Sequence, residues 1–420
     1  MESFPQIPEW VTLEHDIATI LTRQELHGWR FDESAAWQLE CTLRKELESL
    51  THVLRDRHPL VAGSEFTPKR PNRTQGYVQG ATFTRLKEFN PTSRDHIAWV
   101  LQTHYGWSPS IMTQTGKPMV DEVILKDIQN DFAQMCSRCL DLTKKLGLLS
   151  EGVNAWLKLS RNSRIHHHCS VATVTHRAAH RKPNLAQVPS DHEFRQLFTA
   201  SPGLVMVGAD LSGIELRMLA HYLARYDEGR YADILLNGDI HQVNADKIGI
   251  SRRAVKTVTY AFLYGAGDNK IGLSYDPQLS SKQATAKGKE IRAAYMEAVP
   301  GLEKLVTAVK QKAQSSGKIR GIDGRSISCS SPHKALNMLL QSSAGVIAKR
   351  WMQIVHQELP PSTYQLAFIH DELQFETRPE SADTLCTSLV RGAQRSGEYY
   401  SMRIRIDAES KRGNNWAEVH

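Results

Sequence analysis

Apolar residues between Glu14 and Leu26 recur at helical spacing, with Ile17, Ile20 and Leu21 on one face, and Gly28 stands where such a helix would stop. A second, longer helix is predicted at once. Asp32 can cap it, and Leu39, Leu43, Leu47, Leu50 and Leu54 step by three or four to mark one buried stripe on a charged rod. From about His58 to Glu88 the pattern dissolves into Pro, Gly, Thr and basic residues, which predicts an exposed loop or a small insertion. Helical patterning resumes from Arg94 to Gln102 and from Asp121 to Leu148.

Past Gly152 the texture changes. The run IHHHCSVATVTHR alternates and is β-branched, and SPGLVMVGADL presents a short apolar strand that ends in a carboxylate. Gly213 to Lys312 reads as mostly helical, 321–331 as strand or turn, and Asn337 to Gln357 as a helix. TYQLAFIHDELQFET then reads as two strands with His370 and Asp371 at the tight turn between them. No internal repeat and no low-complexity tract interrupts the chain.

Composition narrows the class. The 420 residues are 40% hydrophobic and 23% charged, as in a soluble globular protein of two or three domains. No apolar run approaches a membrane span, and the start MESFPQIPEW lacks the layout of a secretory signal, so a cytoplasmic location and no membrane partner are expected. Six cysteines are too sparse for a disulfide framework. Cys136 and Cys139 have zinc-like spacing but no second pair, and in a leucine-bearing helix they read as buried thiols. The net charge of +7 favours polyanionic partners without requiring them.

Candidate chemistry gathers at a few points. Asp210 and Asp371 each end a strand; singly such a residue is a cap or turn group, but on strands of one sheet the pair could hold two metals about 3.5 to 4 Å apart for phosphoryl displacement, with Glu372 as a further acid. Arg252, Lys256, Tyr260 and Tyr264 follow one another at intervals of four, before Gly265, Ala266 and Gly267. Four residues of helix rise about 6 Å, so this ladder either is a solvated face or offers cations to successive phosphates and a ring to a base. His241 could reach the same triphosphate. Glu215 reads equally as a third metal ligand, a surface charge or a gate against a ribose hydroxyl, and Arg177, Asn337 and Gln341 are of the type that reads minor-groove acceptors.

At these residues the chain resembles the family A (Pol I-like) DNA polymerases. DLSGIELR (210–217) is similar to their motif A, RRAVKTVTYAFLYGAG (252–267) to motif B and IHDEL (369–373) to motif C, in that order. THRAAHRKPNLAQVPS (175–190), FNPTSRDHI (89–97), TQTGKPMVDE (113–122), SPHKALNMLLQSSAG (331–345) and the terminal NWAEVH resemble the replicative polymerases of lytic podophages. The resemblance implies a right-hand α+β fold: a thumb over 1–150 with a short basic insertion near 56–88, a palm with an antiparallel sheet split over 151–237 and 333–420, and helical fingers over 238–332. It implies template-directed addition of deoxynucleotides to a primer. Two Mg2+ ions, for which Mn2+ can substitute, would be held by Asp210, Asp371 and the Leu211 carbonyl. His241, Arg252 and Lys256 would bind the triphosphate, Lys256 also protonating pyrophosphate. Tyr260 would meet the sugar and base above Glu215 as ribose gate, and Tyr264 would lie near the templating base. Arg177, Asn337, Gln341, His370 and Glu372 would meet the primer-template.

The chain departs from the family at His176, where glycine usually precedes the arginine, and at Ala261, which replaces a common glycine. Because thumb-like sequence begins by about residue 14, no proofreading exonuclease is expected ahead of it. The insertion is shorter than the podophage segment that recruits thioredoxin, so thioredoxin is not an expected partner. A separate exonuclease, a helicase-primase or a processivity factor is. The rival readings are a single-subunit RNA polymerase, against which Glu215 argues, a catalytically silent nucleic-acid-binding accessory protein of the same fold, and, weaker, a metal-dependent nuclease. Phage DNA replication in a bacterial cytoplasm is the expected setting.

Overall fold

The computed structural model describes residues 7–420 other than 110, 114, 172 and 278. The first six residues of the expected thumb, and position 114 within the TQTGKPMVDE stretch, lie outside the described residues. Two compact units emerge: residues 1–33 with 159–420, and residues 34–158. Among the described residues no helix is long and apolar enough to cross a membrane.

The larger unit is built on a four-stranded antiparallel sheet in the order Tyr364–Ile369, Glu372–Thr377, Val205–Leu211, Ala408–Gly413. Val205–Leu211 is central, and Met206 to Ala209 are buried without a break, as expected for a strand covered on both faces. Gly208 permits this. A Cβ there would collide with the Gln374 amide and the Val419 carbonyl. The register sets Glu372 opposite Asp210 and Phe375 opposite Val207, while Ala408 and Glu409 pair with Leu211 and Asp210 from the other side.

Against the sheet packs the long helix Ala335–His356, whose Ala344 to Met352 stretch is buried throughout, apolar and small residues on most of its faces and Lys349 and Arg350 buried among them. The opening helix, Glu9–His27, buries Leu13, Ile17, Ile20 and Leu21 and ends at Gly28 with φ +68°. These residues share a core with Leu211, Ile347, Trp351 and Phe368, so the first helix belongs to the larger unit, whereas the sequence grouped it with residues up to 150. The helical stretch predicted between Gly213 and Lys312 resolves into shorter helices, including Ile214–Leu223, Ile240–Ile248, Arg252–Leu263 and Ser281–Ala298. Ser280 and Gln283 cap the last of these reciprocally.

In the smaller unit the leucine stripe falls on a helix over Glu33–Arg57, with Leu43 and Leu54 buried. Phe89, Val100, Leu101, Phe132, Cys136 and Cys139 fill its core. The thiols at 136 and 139 are buried, and loss of hydration pushes Cys139 up to about 11. Among the described residues no other metal-ligating side chain joins them in a site-sized group.

Two points are sharpened. The segment 60–88, read as an exposed loop or a small insertion, forms an antiparallel ribbon of Leu60–Phe66 with Phe83–Glu88. Both strands are largely exposed, so no alternation marked them; Phe66, Tyr77 and Phe83 hold the ribbon by ring contacts of 5.0 and 4.9 Å, with Arg85 stacked 4.8 Å over Phe66. His176, where the resembled family has glycine, takes φ +58° and donates or accepts at Nδ1 with Ser342 Oγ at 2.8 Å, so the left-handed turn is kept by a side chain that anchors it.

The Lys349 ammonium is fully buried and meets both Glu14 oxygens at 2.8 Å, while Arg325 meets Glu14 at 2.5 Å and Asp323 at 2.7 Å. Glu14→Ala therefore leaves two buried cations short of a partner and is expected to cost about 3 to 5 kcal/mol. Lys349→Met, which leaves Glu14 paired with Arg325, is expected to cost less. Urea unfolding of the two variants checks the order.

Candidate active site

Asp210 is the penultimate residue of the central strand, and Asp371 sits in the turn between Tyr364–Ile369 and Glu372–Thr377, the second of which pairs with the central strand. The Leu211 amide donates to the Asp371 carbonyl at 3.0 Å, which ties the two backbones together where both carboxylates emerge. His370 makes this turn possible by taking φ +60°. The two aspartates read as a pair in the sequence are thus neighbours in one sheet.

Loss of hydration in the cleft, then the charges of Asp371, Glu372 and Glu215, push the Asp210 carboxyl up to about 7, although part of its surface remains open to solvent. Asp371 is pushed up to about 6 by burial first and by Glu215 next, with Arg177 opposing. Oxygen donors that repel one another, and that no side-chain cation neutralises fully, suit a hard divalent cation.

Glu215, in the first turn of the Ile214–Leu223 helix, accepts from Arg177 at 3.0 Å and from the Tyr264 hydroxyl at 2.9 Å. Three residues read separately in the sequence therefore form one cluster beside Asp371. Tyr260 stands at the same wall: burial, then Glu215 and Asp371, raise its phenol.

The ladder lies on the Arg252–Leu263 helix, capped by Ser251. Arg252 pairs with Asp239 at 2.7 Å, and Asp239 also caps the Ile240–Ile248 helix that carries His241. His241 lies 6.2 Å from the Tyr260 ring. Lys256 is exposed between Arg252 and Tyr260, and Tyr264 terminates the helix as its C-cap. Behind it, Asn337 donates to the Leu263 carbonyl at 2.6 Å, so its amide fastens this helix end to the Ala335–His356 helix. Gln341, one turn on, is half-buried.

Glu372, expected among the primer-template contacts, is instead turned inward. It is 5% exposed, and its oxygens accept from Trp416 at 2.6 Å and Gln374 at 2.5 Å and meet His420 at 3.1 Å. A carboxylate with these partners is withheld from phosphate and acts on Asp210 through its charge. The sequence marked NWAEVH but assigned no role to Trp416 or His420, because neither partner lies near residue 372 in the chain.

Comparison with known proteins fits this geometry. The profile of DNA polymerase family A matches residues 69–418. The chain belongs to DNA polymerase family A. The DNA-directed DNA polymerase of Enterobacteria phage T3 is 33% identical over 98% of this chain and 70% of its own length, and that of Escherichia phage T7 is 32% identical over the same shares. The polymerase domain of Pol1 from M. smegmatis, solved in complex with DNA primer-template and dNTP, superposes with a TM-score of 0.76 at 20% identity, over 97% of this chain and 70% of that one. This polymerase is a template-directed DNA-directed DNA polymerase with the right-hand α+β fold, which sets aside the RNA polymerase, the silent accessory protein and the nuclease. Family A polymerases use divalent metal ions, and the Asp210 and Asp371 carboxylates fit that requirement.

Neutralising one crowded carboxylate should stabilise the metal-free polymerase while disabling it. Asp210→Asn is expected to raise the unfolding temperature in chelator at pH 8 by the equivalent of about 1 kcal/mol, since solvent screens much of the repulsion. At pH 5, where the parent Asp210 is itself protonated, the gain should vanish. Calorimetry at the two pH values checks this.

Proposed function

We propose that this polymerase adds deoxynucleotides to a primer 3′ end through two metal ions held by Asp210, Asp371 and the Leu211 carbonyl. The observation that carries this reading is the convergence of Asp210 and Asp371 at one end of the sheet, tied by the Leu211 to Asp371 backbone bond. Two magnesium ions, with manganese as a substitute, would activate the primer hydroxyl and neutralise charge developing on the transferred phosphoryl group. Primer-template DNA and deoxynucleoside triphosphates are the partners.

The chain's own side chains divide the remaining work. Arg252, Lys256 and His241 receive the triphosphate along one helix face, the first two spaced about 6 Å apart along the axis. Binding of the anion takes Arg252 from Asp239, and Lys256 supplies a proton to the leaving pyrophosphate. Tyr260 meets the sugar and base, Glu215 excludes a ribose hydroxyl, and Tyr264 lies beside the templating base. Arg177, Gln341 and His370 bind the primer-template end, with Asn337 holding the fingers helix in place.

In this reading, residues 151–237 and 333–420 are palm, 238–332 fingers and the segment up to 150 thumb, with the opening helix packed on the palm core. The setting is phage DNA replication, and the 420 residues perform extension without proofreading.

Asp210→Asn and Asp371→Asn are each expected to lower primer extension by several orders of magnitude while leaving duplex affinity within a few fold, because each removes a metal ligand and no phosphate contact. Near-normal turnover by either variant overturns the metal assignment. Tyr260→Phe is expected to raise discrimination against dideoxynucleotides by about 10- to 100-fold, since the nucleotide's 3′-hydroxyl must then complete a buried contact worth ~1 to 3 kcal/mol. Glu215→Ala should relax exclusion of ribonucleotides. Single-nucleotide insertion read as a ratio of efficiencies tests both, and an unchanged ratio in Tyr260→Phe removes that residue from the sugar site.

A further inference from the structure

Away from the carboxylates, the short ribbon His168–Ser170 with Ala179–Arg181 turns one face toward the opening helix. His167, Cys169 and His180 gather on that face, each offering a ligand atom within 4.8 Å of the other two. Cys169 Sγ lies 3.1 Å from His180 Nδ1. The Gln24 amide nitrogen of the opening helix stands 3.1 Å from His167 Nε2 and 3.6 Å from Cys169 Sγ, and the Gln24 side-chain oxygen accepts from Gln365 Nε2 at 2.7 Å. Two ring nitrogens, His167 Nδ1 and His180 Nε2, are buried with no hydrogen-bond partner. These are the far nitrogens of the two rings, whose other nitrogens, His167 Nε2 and His180 Nδ1, are the ones turned to Gln24 and Cys169; His167 is 1% exposed, and a buried ring nitrogen without a partner is costly.

We propose that His167, Cys169 and His180 form a zinc-class metal site, distinct from the catalytic carboxylates, that clamps this ribbon against the core. One thiolate and two imidazoles are the donor set of borderline-soft divalent ions, not of magnesium, and three protein ligands leave a fourth position beside Gln24. Burial keeps both rings neutral, with His167 lowered to about 3 and His180 to about 4, so each keeps one lone pair, and that of His167 Nε2, which here accepts from the Gln24 amide, is the one an ion would take over. Burial also holds the thiol protonated, up to about 12. Metal uptake therefore displaces one proton: Cys169–SH and the ion yield the thiolate–metal bond and H+. The alternation of the segment assigns the neighbours a different face: His166 meets the Glu25 carbonyl at 2.8 Å and His168 meets the Glu25 carboxylate at 2.8 Å. The His180 ring also stands 6.0 Å from that of His370, edge to face, so the clamp adjoins the turn that presents Asp371.

The test uses the full chain carrying Asp210→Asn and Asp371→Asn, so that the catalytic carboxylates do not compete for the ion. Titration with Co2+ should give the near-ultraviolet thiolate-to-cobalt band and the visible bands of a tetrahedral ion, saturating at one ion per chain and bleached by Zn2+. Zn2+ should also raise the unfolding temperature. Cys169→Ala should abolish the thiolate band, and His167→Ala should weaken Co2+ binding by about 100-fold or more. A thiolate band that survives Cys169→Ala places the ion on another cysteine and overturns the proposal. So does the absence of any band in the parent together with an unfolding temperature that Zn2+ does not move. If either variant fails to fold, the parent titration and its zinc-dependent unfolding decide by themselves.

Discussion

The antiparallel pairing of Glu372–Thr377 with Val205–Leu211 is the constraint on which the active site depends. Side-chain direction alternates along a strand, so a slip of one residue would turn Asp210 from the cleft into the core. The register is held from several directions. Gly208 lets Gln374 and the Val419 carbonyl approach the central strand, and Ala408–Gly413 closes its other edge. Trp416 and His420 then grip Glu372 directly opposite Asp210. After burial and the charge of Asp371, the Glu372 charge that also raises Asp210 is thereby fixed in place by the chain's terminal residues.

A pocket of mutually repelling carboxylates is unfavourable to the fold, and the surrounding structure offsets that cost. The buried ionic cluster of Glu14, Lys349, Arg325 and Asp323 joins the opening helix to the long central helix, where full pairing makes buried charge tolerable. Stability resides in these deep paired charges, and the unrelieved repulsion resides at the carboxylates of the cleft. The left-handed His370 and His176 show the same economy, since a non-glycine side chain in that region is disfavoured and each is held by neighbours.

The site also couples elements that carry different tasks. Glu215 joins Arg177 and Tyr264 through one carboxylate, so a residue expected at the sugar, one expected at the duplex and one expected at the template share a hydrogen-bond network. Arg252 and Asp239 form a second such link at the start of the Arg252–Leu263 helix. The Glu215 cluster is half-buried whereas the Arg252–Asp239 pair is open to solvent, so the first is the more firmly held of the two.

What the sequence determined by itself were features whose signal is local. The helical stripe through Ile17, Ile20 and Leu21, the strand before Asp210, the turn at His370 and Asp371 and the ordered run of three motifs are each written within a few residues, since backbone period and turn chemistry act at that range. Only the tertiary structure decided the rest. The ribbon at 60–88 carries no alternation because Val61 alone of its strand residues is buried, so its outer part depends on ring contacts across the turn. The allegiance of the opening helix to the larger unit rests on Lys349 and Ile347, more than three hundred residues away in the chain. The inward turn of Glu372 toward Trp416 and His420, and the meeting of His167, Cys169 and His180, are likewise products of burial and strand pairing between distant segments, and no period or motif within a window of sequence encodes them.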